Sequence, residues 1–271
     1  MRRYPPFITI EKYVGETPLV AAERLRALYC IPKEVPLAYA GRLDPMATGK
    51  LLILIGDECK VQDAYHGFDK EYQVEIFLGA ATDTGDVLGI IEKSGSKSIT
   101  ENEAGEIISG LHGSIQLPYP HFSSKTVKGK PLHTWTLEKR LNEIEVPVKK
   151  SRIYKITFNS LKTIPKAEAL GTIRAKIETI PPVTDPKKAL GEDFRRDAVR
   201  ESWSQFEKNS EGVLQIISFT CIASSGTYMR SLSSHIAEKL GTCGLAYSIN
   251  RSILGKYFAV TKKIGFWTVR F

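Results

Sequence analysis

The segment Gly41-Arg42-Leu43-Asp44-Pro45-Met46-Ala47-Thr48-Gly49 sets one short acid against a proline and between two glycines. It leads into the longest apolar run of the chain, Leu51 to Ile55. Pro45 holds the residue before it in extended backbone, which helps fix the direction of Asp44. Gly41 and Gly49 permit tight backbone paths on either side. A carboxylate held at the edge of an apolar core can serve as a nucleophile or base when ionised. The same residues also describe an ordinary Asp-Pro turn, which is common, so the choice rests on what else the chain carries.

The chain has a formal charge of +8 and a pI near 9.2, a balance suited to a polyanionic partner. Much of the excess sits between Pro118 and Lys155, where nine Lys/Arg face three Glu. His121, Phe122, His133, Trp135 and Tyr154 are interleaved with them. Phosphates need cations and unstacked bases need flat partners, so this mixture suits RNA; the plainer reading is a solvated basic loop. Cys30, Cys59, Cys221 and Cys243 form no CxxC pair, so a zinc site is not expected. No metal ligand set is proposed.

The Asp44 segment, followed by Lys50-Leu51-Leu52-Ile53-Leu54-Ile55-Gly56-Asp57-Glu58-Cys59-Lys60, resembles the pattern around the catalytic aspartate of the TruB family of RNA pseudouridine synthases. Further blocks follow in the family's order. They are Lys70-Glu71-Tyr72, Leu78-Gly79 with Thr82-Asp83-Thr84-Gly85-Asp86, and Pro118 through Gly129 with Leu132. Ser225-Gly226-Thr227-Tyr228-Met229-Arg230 and Ile249-Asn250-Arg251-Ser252 complete the set.

The resemblance implies isomerisation of uridine to pseudouridine, with uridine 55 in the T-loop of tRNA as the usual target. That chemistry requires no redox change, so no cofactor is expected. By resemblance Asp44 attacks or deprotonates the nucleotide, at the base or at the ribose. Arg230 is its partner, since a guanidinium orients a carboxylate and favours the charged form. Tyr72 stacks on the uracil and helps remove the C5 proton, and Ile249 is the apolar wall. Lys12 supports the pocket near the first strand. The loop around Lys125, Lys128 and Lys130 grips the surrounding RNA backbone. A uridine in folded RNA must leave its stack to enter such a site.

Beside small changes, such as Tyr13 for the proline after Lys12 and Ile249 for the usual leucine, two positions near Asp44 depart from the family pattern. Tyr39 stands where the family has a histidine that helps hold the flipped RNA, and a stacking role is expected of it. Arg42 gives Gly-Arg-Leu-Asp, the form of other pseudouridine synthase families. The competing reading is an RNA-binding chaperone or ribosome-assembly factor on the same fold. A carboxylate hydrolase would need a second placed acid; Asp83 and Asp86 are the nearby candidates and read as turn residues around Gly85.

The elements that must position these residues follow from periodicity. Phe7 to Lys12 alternates as a strand, and Thr17-Pro18 starts a helix whose apolar face is Leu19, Ala22, Leu25 and Leu28. Lys50 to Ile55, Lys70 to Leu78, Ser151 to Phe158 and Gly212 to Ala223 read as strands. Ile99 to Leu111 and Thr227 to Leu240 read as helices. Residues 160–212 change character and are expected to be an insertion. Within it, a charged helix opened by Asp185-Pro186 carries Leu190, Phe194, Ala198 or Val199, Trp203 and Phe206 as an apolar stripe. That stripe should dock on the body of the chain or on a partner.

The expected architecture is α+β, the pseudouridine synthase fold: a mixed, largely antiparallel sheet flanked by helices with a central RNA-binding cleft. It would form one catalytic domain over residues 1–271 without the C-terminal PUA domain of many members. No apolar run approaches the roughly 20 residues of a membrane helix. The expected setting is a monomer in the cytoplasm acting on RNA, tRNA foremost.

Overall fold

The computed structural model describes residues 4–95, 97–180, 182, 195–208, 212–262 and 264–271. Chain order runs β1 (Phe7–Lys12), α1 (Pro18–Leu28), β2 (Leu37–Ala40), β3 (Thr48–Ile55), α2 (Asp63–His66), β4 (Asp69–Leu78), β5 (Ala80–Thr82), β6 (Ile91–Ser94) and α3 (Glu101–Ser109). It continues through β7 (Gly113–Pro118), β8 (Thr126–Val127), β9 (Lys130–Pro131), α4 (Leu132–Leu137), β10 (Val148–Pro165), α5 (Lys166–Glu178), α6 (Arg196–Lys208), β11 (Val213–Ala223), α7 (Met229–Lys239), β12 (Gly244–Ala259) and β13 (Gly265–Arg270).

The main sheet has the order β1-β3-β12-β4-β11-β10-β7, with β2 added beside β3 and β13 beside β12. All its pairings are antiparallel except β3 with β12, which run parallel through Asn250↔Thr48 and Arg251↔Gly49. The mixed, largely antiparallel α+β architecture expected from the sequence is therefore present. The parallel contact brings the strand after Asp44 beside the one that carries Ile249 and Arg251.

The unbroken apolar run of β3 has a simple cause. Leu51, Ile53 and Ile55 face the main core, while Leu52 and Leu54 face a smaller cluster with Ala40, Phe68 and Leu254. A strand covered on both faces needs no polar alternation. In β4, by contrast, Lys70, Tyr72, Val74 and Ile76 are buried and the intervening residues are more open.

Thr17 caps α1 as expected, accepting from Val20 N at 3.2 Å. Its buried face is Ala21, Ala22 and Leu25, however, and Leu19 and Leu28 point to solvent. The spacing of Leu19, Ala22, Leu25 and Leu28 suggests a stripe that is only half right, because Ala22 and Leu25 are buried together with Ala21 while the two outer leucines are not. Helix α3 starts at a capping box in which Thr100 and Glu103 exchange hydrogen bonds, the arrangement that satisfies two end-of-helix donors at once.

Strand β10 pairs with β7 over Val148–Ile153 and with β11 from Ile153 to Pro165, so the chain leaves the sheet after residue 165. The expected start of a helix at Asp185-Pro186, with Leu190 and Phe194, lies outside the described residues. The stripe of α6 docks on the body of the chain. Trp203 is buried against Phe77 with ring centroids 6.0 Å apart, and its indole N–H donates to Gly89 O at 3.1 Å. Satisfying that N–H lets a large ring be buried without the cost of an orphaned donor.

Candidate active site

Asp44 sits in the turn between β2 and β3. Ala47 N donates to Asp44 O at 3.0 Å, closing the turn. Gly49 must be glycine: its φ is +104°, and a Cβ there would lie 2.3 Å from Arg251 O on the parallel neighbour. Beneath the turn, the Lys12 ammonium donates to the carbonyls of Ala47 at 2.6 Å, Tyr13 at 2.8 Å and Pro45 at 3.4 Å. Lys12 is fully buried; burial lowers its pKa to about 8, against the opposing pull of Glu16 and Asp44.

Arg230, in the first turn of α7, reaches Asp44 from the other side. Its Nε donates to Asp44 Oδ2 at 2.8 Å, Nη1 to Thr84 O at 2.7 Å and Nη2 to Phe122 O at 3.2 Å. Three donors of one planar fork thus meet three separate chain segments, geometry that an ammonium cannot reproduce. Asp86 Oδ2 lies 3.7 Å from Nε. Burial works against the Arg230 charge, but Asp44 and Asp86 reverse that effect and hold its pKa above the ordinary value. For Asp86, burial outweighs the stabilisation from Arg230 and the Leu88 N–H and pushes the carboxyl up.

The Arg230 side chain is 5% exposed and that of Asp44 is 38% exposed. The cation is sealed and the acid faces a cavity of about 740 Å³. Tyr72, Ile249, Lys70 and Phe122 share its wall. The Tyr72 hydroxyl pairs with Arg251 inside the protein; burial raises its pKa, and Arg251 opposes the rise. Arg251 Nε donates to Lys50 O at 2.8 Å and its Nη atoms approach Arg42 O and Gly41 O at 3.4 and 3.2 Å. It therefore fastens the Tyr72 strand to the backbone just ahead of Asp44. Among the described residues, no three His, Cys, Asp or Glu side chains converge as a metal site.

The structure thus brings Asp44, Arg230, Tyr72 and Ile249 together. The other expected binding residues lie elsewhere. Lys12 is off the cavity wall, its ammonium occupied by backbone carbonyls. Tyr39 is also off the wall. It pairs with Ile53, a main-core residue, and register turns its ring onto that same face, where it packs against the core. Lys125, Lys128 and Lys130 lie on the β8–β9 hairpin and the loop before it. Lys125 sits over the Tyr119 ring at 5.5 Å, Lys128 donates to Glu143 O at 3.1 Å, and Lys130 pairs with Glu138 at 2.7 Å. Arg42 Nη1 bridges from the Asp44 turn to Ser124 Oγ in this loop at 2.7 Å.

Residues 32–179 match the family model "TruB family pseudouridylate synthase (N terminal domain)". The chain belongs to the TruB family. It is 32% identical over 149 residues to tRNA pseudouridine synthase B of Caldicellulosiruptor saccharolyticus, covering 55% of this chain and 50% of that protein. It is 29% identical over 247 residues to the protein of that name from Prochlorococcus marinus, covering 91% and 61%. With the one from Aquifex aeolicus it shares 26% over 245 residues, covering 90% and 66%. The match therefore spans about half to two thirds of these relatives' length. Among solved structures, a Cbf5-Nop10-Gar1 complex chain superposes with a TM-score of 0.54 at 15% identity, covering 92% of this chain and 48% of that one. An H/ACA ribonucleoprotein bound to a substrate RNA gives 0.51 at 14% identity, covering 90% and 46%. Both share the fold.

Against that family background, three members of the constellation have no assigned role in the sequence reading. Arg251 appeared there inside a matching block with no task. Asp86 read as a turn residue; it does sit in the Thr82–Gly89 turn, but buried and 3.7 Å from Arg230. Lys70 begins the Lys-x-Tyr block and reaches the cavity wall. The available signal was alternation in β4, which puts Lys70 on the same face as Tyr72.

Proposed function

We propose that this chain isomerises uridine to pseudouridine in RNA, with uridine 55 in the T-loop of tRNA as its target. The supporting observation is the half-open Asp44 carboxylate, oriented by a sealed Arg230 and facing a cavity walled by Tyr72 and Ile249. The reaction breaks the bond from N1 to the ribose, turns the uracil and rejoins it through C5. The C5 proton leaves and N1 ends protonated, so atoms balance without a second substrate. Asp44 is the group that reacts with the nucleotide. Tyr72 stacks on the base, and Ile249 closes the apolar side. Lys125, Lys128 and Lys130 hold backbone phosphates around the extruded uridine. Residues between β10 and β11 form an insertion in this one catalytic domain.

The test is tritium release from unmodified tRNA labelled at uracil C5. Wild type should release tritium, and Asp44→Asn, which keeps the shape and removes the charge, should release none above background. Loss of label should map to position 55 of the T-loop. Tight tRNA binding by a wild type that releases nothing would overturn the enzymatic reading in favour of an RNA-binding role.

A further inference from the structure

We propose that Arg195 is a positioning residue for the Asp44–Arg230 pair, acting from a segment beyond the family match, which ends at residue 179. This rests on the reading of Asp44 as the reacting group. Arg195 immediately precedes α6, and its carbonyl accepts from Val199 N at 2.9 Å. Its φ is +68°, in the left-handed region that non-glycine residues occupy when the surroundings hold them there. The guanidinium makes two contacts across the cavity wall: an ion pair with Asp83 and a face-on contact with the Phe122 ring, 4.5 Å from its centroid.

Those partners are not arbitrary. Asp83 is the neighbour of Thr84, whose carbonyl accepts from Arg230 Nη1. The Phe122 carbonyl accepts from Arg230 Nη2. The two segments that Arg195 touches are therefore the two whose carbonyls seat the Arg230 guanidinium. They differ in their own support. Asp83 is locked in its turn, with N donating to Ile90 O at 3.0 Å and Oδ1 accepting from Ile90 N at 2.9 Å. Phe122 lies in the irregular stretch between β7 and β8, where its neighbours are held to α4, with Thr136 Oγ1 donating to His121 O at 3.1 Å and His133 N to Ser123 O at 3.2 Å, and not to the Asp83 turn. Arg195 ties the irregular segment to the fixed one and so sets where the third arm of Arg230 lands.

Arg195 is not needed to hold α6 on the body. Trp203 and Ser202 do that, through Gly89 O at 3.1 Å and Ile91 N at 2.9 Å. The role left to Arg195 is registration of the Phe122 segment against the Thr84 turn, at one remove from the carboxylate.

The full chain is assayed by tritium release from unmodified tRNA. Arg195→Ala should lower kcat on the order of 10- to 100-fold, the scale of a small misplacement at a reacting group, with KM within about twofold. Arg195→Lys keeps an ion pair with Asp83 but not the flat contact on Phe122, and should recover part of the loss. Arg200→Ala is the control on the same helix. It removes a bidentate pair with Glu178, 2.8 Å on both arms, and a bond to Asp197 at 2.9 Å, none of them to Asp83 or Phe122, and should leave kcat unchanged. Activity aside, the Arg230 Nε–H resonance should lose protection from solvent exchange in Arg195→Ala and keep it in Arg200→Ala.

Wild-type kcat in Arg195→Ala, an equal fall in Arg200→Ala, or an undisturbed Arg230 resonance would each overturn the clamp. A wild type that releases no tritium fails the enzymatic reading, and the positioning role of Arg195 falls with it. An active wild type with an unaffected Arg195→Ala sinks the clamp alone.

Discussion

At Asp44 the cation is sealed and the acid half open. Around α4, neither partner is sealed: Lys130 and Glu138 are 32% and 37% exposed, Arg140 and Glu143 48% and 45%. The contrast separates two uses of one interaction. A guanidinium fixed by three acceptors on three segments has one orientation, and desolvation makes any partner change costly. Pairs in water contribute about 0.2–1 kcal/mol each, so a lysine can leave its glutamate for a phosphate at little cost. On the proposed function, the first arrangement orients a reacting group and the second captures a polyanion.

The largest effect should come from Arg230→Lys. Lysine keeps the charge but cannot address Asp44, Thr84 O and Phe122 O in one plane. A fall in kcat on the order of 100-fold is expected, the scale of losing one preorganised electrostatic contact, while tRNA affinity stays close to wild type. Near-full turnover would show that charge alone suffices at Asp44 and would dissolve the contrast.

The open region should respond to salt instead. Lys125→Ala should reduce the slope of log affinity against log salt by about 0.7–0.9, the share of one phosphate contact. Lys130→Ala should change it less, because Lys130 must first leave Glu138, to which it is bound through both oxygens at 2.7 and 2.9 Å. Filter binding of tRNA across a salt series checks the ranking, and equal slopes for wild type and Lys125→Ala would remove Lys125 from the interface.

Legibility in the sequence divides along a similar line. Asp44, Tyr72, Arg230 and Ile249 were readable because each sits in a block whose neighbours restrict it, such as Pro45 or Gly226-Thr227. The strands were readable from alternation in β4 and from the two-sided apolar run in β3. Lys12 lies beneath the Asp44 turn, bonded to the Pro45 and Ala47 carbonyls, while Tyr39 lies off the cavity for a physical reason. Being on the right strand near the site says nothing of which face the register turns inward, and Tyr39 follows Ile53 into the core. The tasks of Arg251, Asp86 and Arg195 depend on contacts with residues more than 100 positions away in sequence, as in Arg195 with Asp83 or Arg230 with Asp86. No local pattern announces a contact of that kind.

Lys70 is a third case that sharpens the contrast: a buried cation that meets a carbonyl and a hydroxyl. Its ammonium donates to Phe68 O and, at 3.1 Å, to Ser225 Oγ. Burial, then the neighbouring Arg251 charge, lowers its pKa to about 8. Arg230, equally buried but facing two carboxylates, goes the other way. A sealed cation is thus held charged where an acid pairs with it directly, as Asp44 does with Arg230, and loosened where burial outweighs acids that do not pair with it, as for Lys70 and Lys12, and pH should separate the two. With a folded pKa of about 8 beneath an ordinary 10.5, the stability Lys70 contributes is present above the unfolded value. It is lost as pH falls through about 8. The difference in unfolding free energy between wild type and Lys70→Met, measured with urea at several pH values, should therefore shift against wild type from pH 10 to pH 8. The change should be on the order of 2 kcal/mol, levelling off below pH 7. A pH-independent difference would mean that Phe68 O and Ser225 Oγ replace a carboxylate in full, and burial alone would not distinguish Lys70 from Arg230.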